Sequence, residues 1–167
     1  GEVIKQVSQE IYSTGKVTDK SEIGTYWWNE FQKAFNSAYE DSFETQRKLE
    51  YESLKKTIEY FNSTANAKEL SDLMFAHWIK PPIFEESKQF FEMCPVPIYV
   101  VSNIDRDDVL KAIEYHGLKP NGIFTSEDAK SYKPRKELFQ FALNSTGLSA
   151  EQVVHIGDSL SSDIKGA

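Results

Sequence analysis

Apolar residues recur every three or four positions through the first half of the sequence, the spacing that places them on one face of a helix. Short polar breaks interrupt the pattern at Gly15 and at residues 62–64. The pattern predicts four helices, which cover residues 2–13, begin at Ser21, begin at about residue 42, and cover residues 65–79. Their lengths and short connections predict a small antiparallel helical bundle.

The second half alternates predicted strands with predicted helices. A stiff Lys80-Pro81-Pro82 run separates it from the helical half, so we divide the chain into residues 1–80 and residues 81–167. Apolar, β-branched runs predict strands over residues 98–101, 122–125 and 153–156. We expect a helix over residues 83–94, before the first strand, and helices over residues 105–116 and 133–146 between the strands. This order predicts an α/β unit with a parallel sheet.

Composition and charge exclude several classes of protein. The 167 residues are enough to bury a sizeable core, as one domain or two small ones. A net charge of −7 without clustered Lys and Arg argues against nucleic acid as a partner. No apolar stretch approaches the length of a membrane span, and the single cysteine, Cys94, fits a reducing cytosol. We expect a cytoplasmic protein that binds neither nucleic acid nor membrane.

Polar side chains with distinct chemistry follow the predicted strands, where ligands of α/β sheets bind. The hydroxyl of Ser102 and the amide of Asn103 are placed to hold a phosphoryl oxygen. Lys133 supplies a cation, and the carboxylates of Asp158 and Asp163 suit Mg²⁺. Each has a plainer alternative: a turn at residues 102–103, a solvated lysine, a strand terminator and a helix cap. Together and in this order they indicate a phosphoryl-transfer site that lacks its nucleophile.

Three stretches of the second half resemble the second, third and fourth motifs of the haloacid dehalogenase (HAD) superfamily. They are residues 100–103, residues 126–128 with 132–134, and residues 155–167, in the family's order and spacing. The helical first half resembles, in architecture only, the cap that one HAD subclass, subclass I, inserts after its first motif. The resemblance implies a Rossmann-like α/β core with a parallel sheet over residues 81–167 and an α-helical bundle cap over residues 1–80.

The resemblance also implies roles for the candidate residues. Ser102 and the amide of Asn103 would bind the phosphoryl group, and Lys133 would neutralise its charge. Asp158 would hold Mg²⁺, and Asp163 would support the metal or orient its partners. In such enzymes an aspartate attacks phosphorus to form an aspartyl-phosphate, and a second aspartate acts as general acid and base.

Both of those aspartates belong to the family's first motif, Asp-x-Asp, which has no counterpart in this sequence. The family's last strand has no counterpart either. We therefore expect these 167 residues to be an excerpt of a longer protein, with pieces missing at both ends and the nucleophile outside the sequence.

Three functions fit the motifs. The leading interpretation is a Mg²⁺-dependent phosphatase of a small phosphorylated metabolite, because the fourth motif is particularly similar to those of pyrimidine-type nucleotidases. Tyr26, Trp27 or Trp28 of the cap would then stack on a base, although packing is the commoner use of such residues. A 2-haloacid dehalogenase, which needs no metal, has no use for Asp158. The third is a non-catalytic phosphate- or partner-binding protein on a HAD scaffold. The substrate and the oligomeric state stay open.

Overall fold

The computed structural model describes residues 2–167 and divides the chain into two compact units. The first unit contains the chain up to Ser37 together with Gln46–Pro81. The second contains Ala38–Thr45 together with Pro82–Ala167. The assignment of residues 1–80 as a cap and of residues 81–167 as a core stays a prediction. The structure adds that Ala38–Thr45, which interrupts the helical half, packs within the second unit.

The first unit is helical, as the apolar periodicity predicted. Its helices are α1 (Glu2–Thr14), α2 (Ser21–Ser37), α3 (Gln46–Tyr60) and α4 (Ala67–Trp78). The third begins later than predicted because Glu40–Ser42 forms a separate 3₁₀ turn. Buried faces of all four helices and the residue after α3 meet in one cluster: Val3, Val7, Ile11, Ile23, Trp27, Leu54, Ile58, Phe61, Leu70 and Met74. None of the helices found within residues 2–167 combines the length and apolar character needed to cross a membrane.

The second unit contains a small parallel sheet among helices, which confirms the predicted α/β class. Its elements are α5 (Glu85–Met93), β1 (Tyr99–Ser102), α6 (Arg106–His116), β2 (Gly122–Thr125), α7 (Ser126–Ala129) and α8 (Lys136–Thr146). Strands β1 and β2 are parallel, with Ser102 opposite Thr125, so both end at one edge. Helix α8 begins at Lys136 rather than Lys133 because a turn precedes it, in which the Arg135 amide donates to the Tyr132 carbonyl at 3.0 Å.

The predicted third strand, over residues 153–156, is wrong for the part of the chain that the structure describes. The sheet within residues 2–167 contains β1 and β2, and residues 153–156 pair with neither of them. Val154 and Ile156 are 87% and 73% exposed, so the segment is not covered on both faces. An apolar, β-branched run indicates a capacity to form a strand, but a ladder also needs a neighbouring backbone. A single π-helical turn, Leu160–Ile164, follows this segment.

Candidate active site

A buried ion pair joins two of the predicted site residues. The Nζ atom of Lys133 lies 2.6 Å from Oδ1 of Asp163, and the two side chains are 10% and 7% exposed. The same ammonium donates a hydrogen bond to the carbonyl of Val101, in β1, at 2.9 Å. Charges this deeply buried persist in proteins when they are paired and hydrogen-bonded. The alternative of a solvated Lys133 is therefore wrong, and its cation is fixed near the carboxyl end of β1.

Two further donors complete the surroundings of the Asp163 carboxylate. His155 Nε2 lies 3.0 Å from Oδ1, and the Ser159 amide donates to Oδ2 at 3.2 Å. Burial by itself raises the pKa of Asp163, but the hydrogen bonds from Lys133, His155 and Ser159 outweigh it and lower the pKa to about 2. Asp163 is consequently ionised at neutral pH. No role for His155 was predicted, because it lies among apolar residues in the predicted third strand.

Asn103 holds the backbone of Lys133 with its side chain. Its Oδ1 accepts from the Lys133 amide at 2.7 Å, and its Nδ2 donates to the Lys133 carbonyl at 3.1 Å. The Asn103 carbonyl in turn accepts from the hydroxyl of buried Ser126 at 3.0 Å. The role predicted for Asn103 involved only its backbone amide. An amide side chain immediately after a strand was the available signal, since it can match both the donor and the acceptor of another backbone.

Ser102 ends β1 and is half-buried. Its Oγ accepts from the amide of Ile104 at 3.1 Å, which is the local hydroxyl-to-backbone bond of a turn. Ser102 is the last residue of β1, and the chain bends at residues 103–104, one residue later than the turn predicted at residues 102–103. A hydroxyl that accepts from the backbone still has its own proton to donate to a ligand oxygen. Phosphoryl binding by Ser102 and by the Asn103 amide stays a prediction.

The two predicted metal ligands differ in their surroundings. Asp158 is exposed, whereas both carboxylate oxygens of Asp163 are hydrogen-bonded to Lys133, His155 or Ser159. Within residues 2–167, no group of three or more His, Cys, Asp or Glu side chains is arranged to hold a metal ion. Mg²⁺ commonly takes one or two carboxylates together with water and substrate phosphate oxygens. Asp158 fits as one such ligand, but the described residues do not form a complete site, and metal binding by Asp158 and Asp163 stays a prediction.

Gly157 lies against Asp163 so closely that a side chain does not fit. A Cβ atom there would be 2.2 Å from Cγ and 2.5 Å from Oδ2 of Asp163. We expect Gly157→Ala to displace this carboxylate from Lys133 and to lower the free energy of unfolding by about 1–3 kcal/mol, the usual cost of overpacking. Urea unfolding of the full-length protein measures this. Gly24→Ala is the matched control, because a Cβ at Gly24 meets no atom within 4 Å. Equal urea midpoints for Gly157→Ala and wild type would contradict the expectation.

These features together define a class of protein: an α/β unit with a parallel sheet, a strand-end hydroxyl and a buried lysine–carboxylate pair. A model of the haloacid dehalogenase-like hydrolase family matches residues 3–167. The chain belongs to that family, a family of hydrolytic enzymes. The resemblance drawn from the three motifs is confirmed.

Individual relatives cover the chain to different extents. The protein YfnB of Bacillus subtilis (strain 168), a HAD-hydrolase by name, is 40% identical over 72 residues, which are 41% of this chain and 31% of YfnB. A magnesium-bound crystal structure of YfnB has a TM-score of 0.70 at 20% identity and covers 98% of this chain and 74% of its own. The L-2-haloacid dehalogenase of Xanthobacter autotrophicus, with chloropropionic acid covalently bound, has a TM-score of 0.62 at 15% identity, over 78% of this chain and 54% of its own. At these identities the structures show the shared fold.

Proposed function

We propose that the protein containing this chain is a Mg²⁺-dependent phosphatase of a small phosphorylated metabolite, active in the cytoplasm. The observation that supports this most strongly is the buried Lys133 ammonium, which lies 2.9 Å from the carbonyl of Val101 in β1. Val101 is the residue immediately before Ser102. A fixed cation bound to the strand that ends at the Ser102 hydroxyl suits the charge that develops on a phosphoryl group during transfer.

In the proposed reaction each side chain has a separate task. Ser102 donates a hydrogen bond to a phosphoryl oxygen, and Lys133 neutralises the charge shared by the phosphoryl group and the nucleophile. The backbone amide of Asn103 donates to a phosphoryl oxygen as well. The side chains of Asn103 and Asp163 hold the backbone and the side chain of Lys133 in place. Such placement before the reaction avoids reorganisation during it.

The attacking aspartate lies outside the sequence in this proposal. Its carboxylate oxygen bonds to phosphorus as the bond to the leaving oxygen breaks, and the second aspartate of the same motif protonates that oxygen, so that an alcohol leaves. The second aspartate then takes a proton from the water that hydrolyses the aspartyl-phosphate to inorganic phosphate. Asp158 would hold Mg²⁺, which neutralises phosphoryl oxygens when it is bound. The magnesium in the YfnB structure supports this choice of ion.

A second candidate function is 2-haloacid dehalogenation, favoured by the fold shared with the Xanthobacter autotrophicus enzyme. Its chemistry needs no metal and leaves the exposed carboxylate of Asp158 without a task. This carboxylate is our reason for preferring the phosphatase.

The two functions are separated by assaying full-length protein with para-nitrophenyl phosphate, a panel of phosphorylated metabolites, and 2-chloropropionate. We expect phosphate release that disappears after EDTA treatment and returns with Mg²⁺. Phosphate release that survives EDTA would refute the metal dependence, and halide release without phosphate release would favour the dehalogenase. Folded protein with neither activity would favour the non-catalytic scaffold.

A further inference from the structure

The segment Ala38–Thr45, which we call the clasp segment, packs on the residues that lead into Lys133. It connects the end of α2 at Ser37 to the start of α3 at Gln46, yet it belongs to the second unit. The amide of Glu40 donates to the carbonyl of Lys130 at 3.0 Å. Nothing in the helical periodicity of this region requires such a contact.

Tyr132, the residue immediately before Lys133, contacts the clasp segment through both its hydroxyl and its ring. It is fully buried, and its hydroxyl donates to the carbonyl of Glu44 at 2.7 Å. The two residues are 88 positions apart in the sequence. Its ring stacks on Phe43 with centroids 5.2 Å apart. Burial raises the pKa of the Tyr132 hydroxyl, so this group remains a protonated donor.

A second set of hydrogen bonds ties the clasp segment to Ser131. The hydroxyl of Tyr39 donates to Oε1 of Glu137 at 3.0 Å, and the hydroxyl of Ser131 donates to Oε2 of the same carboxylate at 3.1 Å. Each of the three residues that precede Lys133, namely Lys130, Ser131 and Tyr132, is therefore connected to the clasp segment by hydrogen bonds. On its other side, Lys133 is held by the side chain of Asn103.

We propose that Tyr132 is a positioning residue for Lys133, and that Phe43 and Glu44 of the clasp segment act through it. The proposal rests on the proposed function in giving Lys133 a task in the reaction. The ring stack, in which Tyr132 is fully buried and Phe43 half-buried, and the hydrogen bond fix the chain one residue before the lysine. Without them the turn between α7 and α8 can shift, and the ammonium leaves Asp163 and the end of β1.

The placement of Lys133 can be measured without any enzymatic activity. We would acetylate native full-length protein with trace acetic anhydride and compare labelling of Lys133 with that of exposed Lys119 by mass spectrometry. Phe43→Leu should raise this Lys133 to Lys119 ratio about tenfold, the population change that matches loss of an aromatic stack on a buried ring. Tyr132→Leu should raise it at least as much, and Tyr132→Phe, which keeps the ring, should raise it less.

The control variant is Phe124→Leu, which trims a ring of β2 that contacts Tyr99 and Phe141 rather than the clasp segment. It should leave the labelling ratio at the wild-type value. If Phe43→Leu and Tyr132→Leu also leave it there, or if Phe124→Leu raises it equally, Tyr132 is only a core residue and the proposal is overturned.

Kinetics separate this inference from the proposed function. In an active enzyme, Phe43→Leu should lower kcat about tenfold or more with a smaller change in KM, since a misplaced group costs rate in the transition state. A raised labelling ratio in a protein without phosphatase activity would uphold the positioning role and remove the proposed function. An unchanged ratio in an active phosphatase would do the reverse.

Discussion

Lys133→Met in the full-length protein is expected to lower kcat/KM for para-nitrophenyl phosphate by about 10²–10³-fold, since it removes a fixed charge aimed at the reacting group. The same change leaves Asp163, 7% exposed at its side chain, without its cation. Breaking a buried ion pair from one side typically costs about 3–5 kcal/mol. Steady-state kinetics and urea unfolding measure the two effects.

Two companion variants decide whether both effects come from the ion pair. Lys136→Met removes an exposed lysine three positions later and should change neither kinetics nor stability. The double variant Lys133→Met with Asp163→Asn has no unpaired buried charge, so it should regain part of the lost free energy of unfolding and none of the activity. Wild-type stability of the single variant Lys133→Met would contradict the buried pair.

The sequence predicted a common site for the candidate residues but did not predict which of them are in contact. Alternating strands and helices placed Ser102, Lys133 and Asp163 near strand ends, and the structure joins the last two. We predicted that Asp163 supports the metal or orients its partners, because a carboxylate near the start of the predicted helix suits either task. The pairing of this carboxylate with an ammonium depends on the turn that places Lys133 in the interior, and it is seen only in the structure.

Local patterns also failed where a partner distant in sequence decides the outcome. The four helices of the first unit follow from apolar spacing within each segment, so their existence was predictable. Residues 153–156 have the composition of a strand, but composition does not supply the neighbour that a ladder requires. Ala38–Thr45 lies between two helices and packs on residues 130–132, a relation that no window of sequence contains.

Asp158→Asn is expected to lower the phosphatase activity strongly while leaving the stability of the protein almost unchanged. Because Asp158 is exposed, we expect the free energy of unfolding to stay within about 0.5 kcal/mol of wild type. Because it is the proposed Mg²⁺ ligand, we expect phosphatase kcat/KM to fall about 10²–10³-fold, in line with removal of one stabilising group from a transition state. A Mg²⁺ titration of activity should also shift to higher concentration, since one anionic ligand is lost.

The matched control for this last variant is Asp107→Asn, which neutralises an exposed carboxylate in the first turn of α6. It has the same charge change and should leave both the activity and the Mg²⁺ dependence at wild-type values. Asp158→Asn that retains full Mg²⁺-dependent turnover would remove Asp158 from the proposed mechanism. That result would also remove our argument against a dehalogenase, because the exposed carboxylate of Asp158 is our reason for preferring a metal-dependent phosphatase.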